Sequence, residues 1–359
     1  MLKYIWDLGK RCICTREAEE MGSTKRHKIR YLNIAQPMEG CCSMPRKSKV
    51  TTTWTRLMYI FILFIVFVVV RLSGEKAVEG PAEDIVTEDG SAAPTTEDNQ
   101  EVPENIGEKG LIVHFIDVGQ ADSILITMKD ASMLIDAGNN EDSRLVVDYI
   151  KDRGITALDY VIATHPHEDH IGGMDAVIDA FEVKNFIMPR AESTTKTFED
   201  MLEAILNKEL KVTPPVPGTK YSLGEAEFTI LAPNSEAYED TNDYSVVIKL
   251  QYGTTSFLLT GDAGFKSEEE ILGKGYDLKA DLLKVGHHGS KYSTSAEFLQ
   301  AVRPKIAVIS VGKNNQYGHP APETIQKLRQ AGIKIYRTDE SGTIIATSDG
   351  KKIEIFINR

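Results

Sequence analysis

No cysteine occurs beyond Cys42 in this 359-residue chain. The four present, Cys12, Cys14, Cys41 and Cys42, crowd the start, and neither Cys-x-Cys nor Cys-Cys has zinc-finger spacing. A disulfide framework is therefore excluded for everything downstream. That part must be held by its core, for which about 250 residues suffice. Positive charge is scarce there too. The chain carries a net −12, and Gly110–Arg359 alone carries −11. That excludes a broad basic surface for nucleic acid, and it leaves carboxylates to spare as metal ligands. Long apolar runs are scarce as well: the one clear case is Leu57–Val70, fourteen residues between Arg56 and Arg71.

That run divides the chain. At about 1.5 Å per residue it reaches roughly 21 Å, short of the ~30 Å hydrocarbon core. With the Thr51–Thr55 stretch, Trp54 and a snorkelling Arg71 it becomes long enough for a signal anchor. A cleaved signal peptide, leaving a secreted product, is the rival reading, but no small-x-small cleavage site follows the run. Residues 1–56 carry a net +7 and residues 74–109 a net −9. The positive-inside rule then gives a basic cytoplasmic tail (1–56), a single transmembrane helix (57–72), an acidic disordered linker (73–109) and an extracellular domain (110–359). Met44-Pro-Arg-Lys-Ser-Lys49 has the look of a natural start, which would make residues 1–43 an upstream extension from a misassigned start codon.

The densest chemistry lies at Thr164-His-Pro-His-Glu-Asp-His-Ile-Gly-Gly173. Imidazole nitrogen and carboxylate oxygen are ligands for zinc, manganese and iron(II). A lone histidine is usually a packed core residue. Three histidines and an aspartate within six residues are not, because ligand spacing of this kind places them on one turn. The apolar run Tyr160–Ala163 reads as a buried strand leading into that turn, and Gly172–Phe181 as the helix after it.

Other apolar strands end the same way. Asp136 follows Met133–Ile135, Asp262 follows Leu258-Leu-Thr-Gly261, and His287-His288 follow Leu282–Gly286. Each ligand-type residue sits in a glycine-bearing turn, where it can point into a shared cleft. Helices are expected at Ser143–Arg153, Phe198–Lys208, Ser295–Val302 and Pro322–Ala331, and strands at Leu111–Phe115, Ser123–Thr127, Phe228–Leu231, Ser245–Leu250, Ser256–Leu259, Ile306–Ile309, Ile333–Tyr336, Thr343–Ala346 and Ile353–Ile357. Strands, then helix, then strands, in each half, suit an α+β αββα sandwich of two mixed sheets.

With these motifs in view, the chain resembles the metallo-β-lactamase fold hydrolases, through His-x-His-x-Asp-His, Asp136-Ala-Gly and Thr260-Gly-Asp262. More narrowly, Val113–Ser123, Asn242-Asp-Tyr-Ser-Val-Val247, Val285-Gly-His-His-Gly-Ser290 and Tyr317-Gly-His-Pro320 resemble the extracellular hydrolase domain of ComEC/Rec2-type competence proteins. The resemblance covers Gly110–Arg359 and leaves out any multi-span channel. It implies two divalent ions, zinc or manganese. His165 and His167 would bind one and Asp169 and His170 the other. Asp262 would bridge, His287 or His288 would complete the second site, and Asp136 would orient it from behind. Where many relatives add a histidine, this chain has Asn242, so the first site is more open to a harder ion such as manganese.

Such a pair of ions can activate a water and clamp the oxygens of an in-line displacement. Asp169 can also orient that water. Ser290 and His319, in turns after strands, can contact a phosphate or protonate a leaving oxygen, although a capping serine and a solvated loop histidine are the ordinary readings. Asn242 reads equally as an Asx-turn residue. Gln120 and Asp122 can buttress the site, and His114, within a strand, is structural. The expected activity is that of a metal-dependent phosphodiesterase acting on DNA. The alternatives are a phosphodiesterase on cell-wall or lipid headgroups such as phosphorylcholine, and a non-catalytic accessory module for DNA uptake. No protein partner can be read from the residues.

Overall fold

The structure, a computed structural model, describes residues 110–358. The tail, anchor and linker expected at 1–56, 57–72 and 73–109 lie outside the described residues. Among the described residues no helix is long and apolar enough to cross a membrane.

Strands β1 (Leu111–Phe115), β2 (Ile124–Met128) and β3 (Ala131–Ile135) form an antiparallel meander. Helix α1 (Ser143–Lys151) and the short β4 (Ala157–Leu158) lead to β5 (Tyr160–Ile162). Then come α2 (Glu168–Ile171), α3 (Met174–Ala180), β6 (Glu182–Val183), β7 (Phe186–Ile187), α4 (Lys196–Asn207) and β8 (Val212–Thr213). The second half repeats this order. An antiparallel set, β9 (Lys220–Leu223), β10 (Ala226–Ala232), β11 (Val247–Tyr252) and β12 (Thr255–Leu259), comes first. Next follow α5 (Phe265–Gly273), β13 (Leu282–Lys284), α6 (Ala296–Val302), β14 (Ile306–Ile309), α7 (Pro322–Gln330) and β15 (Lys334–Arg337). After α8 (Thr338–Ser341), strands β16 (Thr343–Ser348) and β17 (Ile353–Asn358) return beside β1.

One sheet has eight strands in the order β17-β16-β1-β2-β3-β5-β7-β8, and the other has seven in the order β15-β14-β13-β12-β11-β10-β9. Pairing turns parallel from β3 onward in the first and from β12 onward in the second. Side chains alternate across each strand, so one strand serves two cores. Leu111, Val113, Phe115, Met133 and Ile135 meet Phe228, Ile248, Phe257, Leu282 and Val308 between the sheets. Leu125, Leu134 and Val161 face outward onto Val146, Ile178 and Ile205 of the first helical layer. Leu258, Leu283 and Ile309 face Ile271, Phe298 and Leu328 of the second. These three apolar layers make the αββα sandwich.

The helix expected over Gly172–Phe181 is present. It appears as α3, shorter by two residues at its start, and a separate single turn, α2, carries His170 before it, with Gly172 and Gly173 at the joint. A Cβ at Gly172 would lie 2.1 Å from the carbonyl carbon of Asn139, so only glycine lets the histidine turn seat against the loop after β3. Helix α5 and strands β8 and β9 were not expected. Parallel strands β3 and β5, and likewise β12 and β13, end in loops at the seam between the sheets, the usual place for ligands in sheets of parallel strands.

Candidate metal centre

Asp136, His165, Asp262 and His288 lie just past strands, and Asp169 and His170 lie on the short α2. Asp136, next after β3, holds a left-handed φ of 58° that few non-glycine residues adopt. Its carboxylate makes the position tenable. Oδ1 accepts from the Thr164 amide (2.8 Å) and Oδ2 from the Thr164 hydroxyl (2.7 Å), both groups lying beyond β5. The same Oδ2 accepts from His170 Nδ1 at 2.7 Å. Loops after two neighbouring strands are thus pinned by one buried side chain.

The hydroxyl proton of Thr164 is committed to Asp136, so Thr164 Oγ1 faces His165 Nδ1, 3.2 Å away, as an acceptor. His288 Nδ1 lies 3.0 Å from the carbonyl oxygen of Ser310 and must donate to it. His165, His170 and His288 therefore all carry their proton on Nδ1, an assignment read from the chemistry of the partners. When neutral, all three present an Nε2 lone pair in the other direction.

Those lone pairs converge. His165 Nε2 lies 3.0 Å from His167 Nδ1. Asp262 Oδ2 lies 3.3 Å from His170 Nε2 and 3.5 Å from His288 Nε2. Asp169 Oδ2 is 3.3 Å from His288 Nε2. One ligand atom from each of Asp169, His170, Asp262 and His288 falls within a 4.8 Å sphere of separations, and the His165 and His170 rings lie 4.2 Å apart. His170 Nε2, His288 Nε2 and Asp262 Oδ1 are buried without a hydrogen-bond partner. Buried polar atoms are rarely left so unless an ion or water completes them. Nitrogen and oxygen donors in this number suit divalent zinc or manganese, so the residues fit the metal that the sequence implies.

The charges interlock. Burial opposes ionisation of His170, and the Asp262, Asp136 and Asp169 carboxylates outweigh it, holding the ring well above the ordinary histidine range. Burial likewise opposes the Asp262 carboxylate, while His288 and His170 hold it well below the ordinary carboxylate range. His165, walled in and next to His170, is pushed well below its usual range.

His287 stands at the rim, a quarter exposed, with Nε2 3.8 Å from Asp262 Oδ2. His288 is the one of the adjacent pair that reaches the cluster. His319 lies beyond His287, ring centroids 5.4 Å apart, and stacks on the exposed Tyr317. Burial, with His287 and His288 nearby, pushes its pKa down to about 4, so the ring is neutral at pH 7. Ser290 is buried, and its Oγ accepts from the Tyr292 amide at 3.3 Å, which is turn chemistry. Asn242 is buried in the 3₁₀ turn Thr241–Tyr244, with its Oδ1 unpaired. Gln120 Oε1 accepts from the Gly312 amide and so ties two loops together. His114 contacts the Tyr149 hydroxyl through Nδ1 at 3.1 Å.

Sequence reasoning missed three residues here. Ser245 Oγ accepts from the Asp262 amide (3.1 Å) and lies 3.4 Å from His165 Nδ1. Asp243 Oδ1 accepts from the Gly264 and Ser267 amides and so caps α5. Both belong to the Asn242–Val247 stretch, whose polar residues before an apolar strand were the available signal. Lys284 ends β13 and is fully buried beside Asp122. A cleft of about 580 Å³ opens beside Asp169. Asp117, Glu141, Asp142, Glu168 and Tyr317 line it, and no lysine or arginine does.

A family model described as the metallo-beta-lactamase superfamily matches residues 116–313. The chain is similar to ComE operon protein 3 of Bacillus subtilis (strain 168), 32% identical over 250 residues, covering 65% of this chain and 32% of that protein. It is also similar to Competence protein ComA of Neisseria gonorrhoeae, 30% identical over 244 residues, covering 67% of this chain and 33% of the relative. The chain thus spans about a third of the length of these relatives. Among solved structures, the metallo-beta-lactamase fold protein YhfI from Bacillus subtilis aligns with a TM-score of 0.47 at 14% identity, over 66% of this chain and 99% of that one.

Proposed function

The chain belongs to the metallo-beta-lactamase superfamily, and from that premise we propose that Gly110–Arg359 is a metal-dependent phosphodiesterase whose main substrate is DNA. The observation that carries this reading is the close cluster of ligand atoms from Asp169, His170, Asp262 and His288, with His170 Nε2, His288 Nε2 and Asp262 Oδ1 buried and unpartnered. In this reading His165 and His167 hold one ion. Asp169, His170 and His288 would hold the other, with Asp262 as a further ligand. Bound there, two divalent ions supply Lewis acidity toward a phosphoryl oxygen and an acidified water.

The remaining residues orient and exclude. Asp136, Thr164 and the Ser310 carbonyl fix the imidazoles from behind. Neutral His319 holds or accepts a hydrogen bond at the rim and does not donate as a cation. DNA is favoured by the resemblance to competence proteins, one relative being named Competence protein ComA. The apolar run 57–70 and its flanking charge favour a single-pass anchor with this domain outside the cell.

A second reading rests on the acidic cleft. Carboxylates beside an exposed tyrosine suit a cationic headgroup, as in a phosphorylcholine ester. The test uses the full-length chain loaded with Mn²⁺ or Zn²⁺ and offered bis(p-nitrophenyl) phosphate, single-stranded DNA, a phosphorylcholine ester and a chromogenic cephalosporin. Turnover of DNA supports the first reading and turnover of the choline ester alone the second. With metal verified bound, no turnover of any substrate leaves an accessory DNA-uptake module as the better account. Turnover that survives His167→Ala or Asp262→Ala overturns the site.

A further inference from the structure

Lys284 is among the largest side chains with no solvent exposure, and it lies in an otherwise apolar strand. Its Nζ is 2.5 Å from Asp122 Oδ2 and donates to the Gly261 carbonyl at 3.3 Å. Asp122, itself 1% exposed, comes from the loop between β1 and β2, so the pair joins the two sheets. The Asp122 carboxylate lies behind the two imidazoles that face Asp262: Oδ1 is 3.6 Å from His288 Nδ1 and Oδ2 is 4.0 Å from His170 Nδ1. Its backbone is committed as well. The Asp122 amide donates to the Asp169 carbonyl, and its carbonyl accepts from the Gly138 amide. The Lys284 carbonyl accepts from the Thr260 hydroxyl. This one pair thereby touches the loops that bear Asp136, Asp169, Asp262 and His288.

Stability alone is a weak reason for such a pair. Withdrawing two charges from water costs several kcal/mol per ion, and well-packed apolar replacements are often neutral or stabilising. We propose that Asp122 and Lys284 are positioning residues, a buried brace that sets the rotamers of His170 and His288 and the separation of the loops holding Asp169 and Asp262. Removing both charges should then spare the fold and spoil the ligand geometry. The inference rests on the metal-centre reading above.

The experiment is Co²⁺ titration of the full-length chain, read by visible absorption and by competition with a chromophoric chelator. The double variant Asp122→Leu/Lys284→Met is expected to melt within a few degrees of wild type when metal-free. It should bind Co²⁺ about 10–100-fold more weakly, the usual effect of losing groups that orient ligands, with an altered absorption band. A folded double variant with wild-type affinity and spectrum overturns the proposal. If the double variant fails to fold, Lys284→Arg, which keeps the charge, should restore the wild-type band where Lys284→Gln does not. Identical bands in those two variants also overturn it. Wild-type protein that takes up no Co²⁺ sinks the metal reading itself and this inference with it, an outcome distinct from an unperturbed variant.

Discussion

Thr164 has one hydroxyl proton, and its delivery to Asp136 decides how His165 and His170 are presented. Thr164→Val keeps the shape and removes that proton. It should weaken metal binding about 10–100-fold by chelator competition. It should also cost about 1–3 kcal/mol in denaturant unfolding, because Asp136 stays buried with a partner missing. A residue outside the centre governs acid stability. Burial, aided by Arg153, pushes the His114 pKa down to about 3 from an ordinary 6.5. Between those values the unfolded chain binds the proton and the folded chain refuses it. The stability from His114 is therefore complete above about pH 6.5 and drains as pH falls, by up to about 1.4 kcal/mol per unit. His114→Gln should lose melting temperature less steeply than wild type from pH 6.5 to pH 4. Parallel slopes would clear His114 of the effect.

At the scale of elements, the turn formed by α2 carries the histidines only because Gly172 allows backbone contact with Asn139 and Asn140. Gly172→Ala must force the loops after β3 and β5 apart. An expected loss of about 1–3 kcal/mol, typical of overpacking, should come with weakened Co²⁺ binding. An alanine variant with wild-type metal affinity would show that the loops move independently. The same elements show what could be read before the fold was known. Long apolar strands such as β1 and β14, and the strand-end placement of Asp136, Asp262 and His288, were legible, because period-2 burial and ligand residues beside glycine are local signals. Helix α5 was not, since its cap is Asp243, more than twenty residues upstream. Strand β9 (Lys-Tyr-Ser-Leu) hid because only Leu223 of its four residues is buried. Lys284 read as one more strand residue, for its partner Asp122 lies in the other half of the chain. The choice between His287 and His288 waited on the Ser310 carbonyl, which no spacing rule could supply.

For the molecule as a whole, the −11 carried by Gly110–Arg359 sets how a polyanion is met. Basic nucleases lose affinity steeply as salt rises. Here added salt screens repulsion, so for the DNA substrate we propose, kcat/KM on single strands should hold or rise between roughly 20 and 150 mM NaCl. A tenfold fall would reveal a basic track that the net charge conceals. The centre also lies astride the seam, with Asp136, His165 and His170 supplied by one sheet and Asp262 and His288 by the other. An ion there acts as a clasp, since it can be held only while both sheets are docked. At a thousandfold excess over its dissociation constant it adds about 4 kcal/mol to the native state. Chelation should then speed amide hydrogen exchange in β5 and β13 together, strands on opposite sides of the seam, so that metal occupancy doubles as the latch on the fold's central opening.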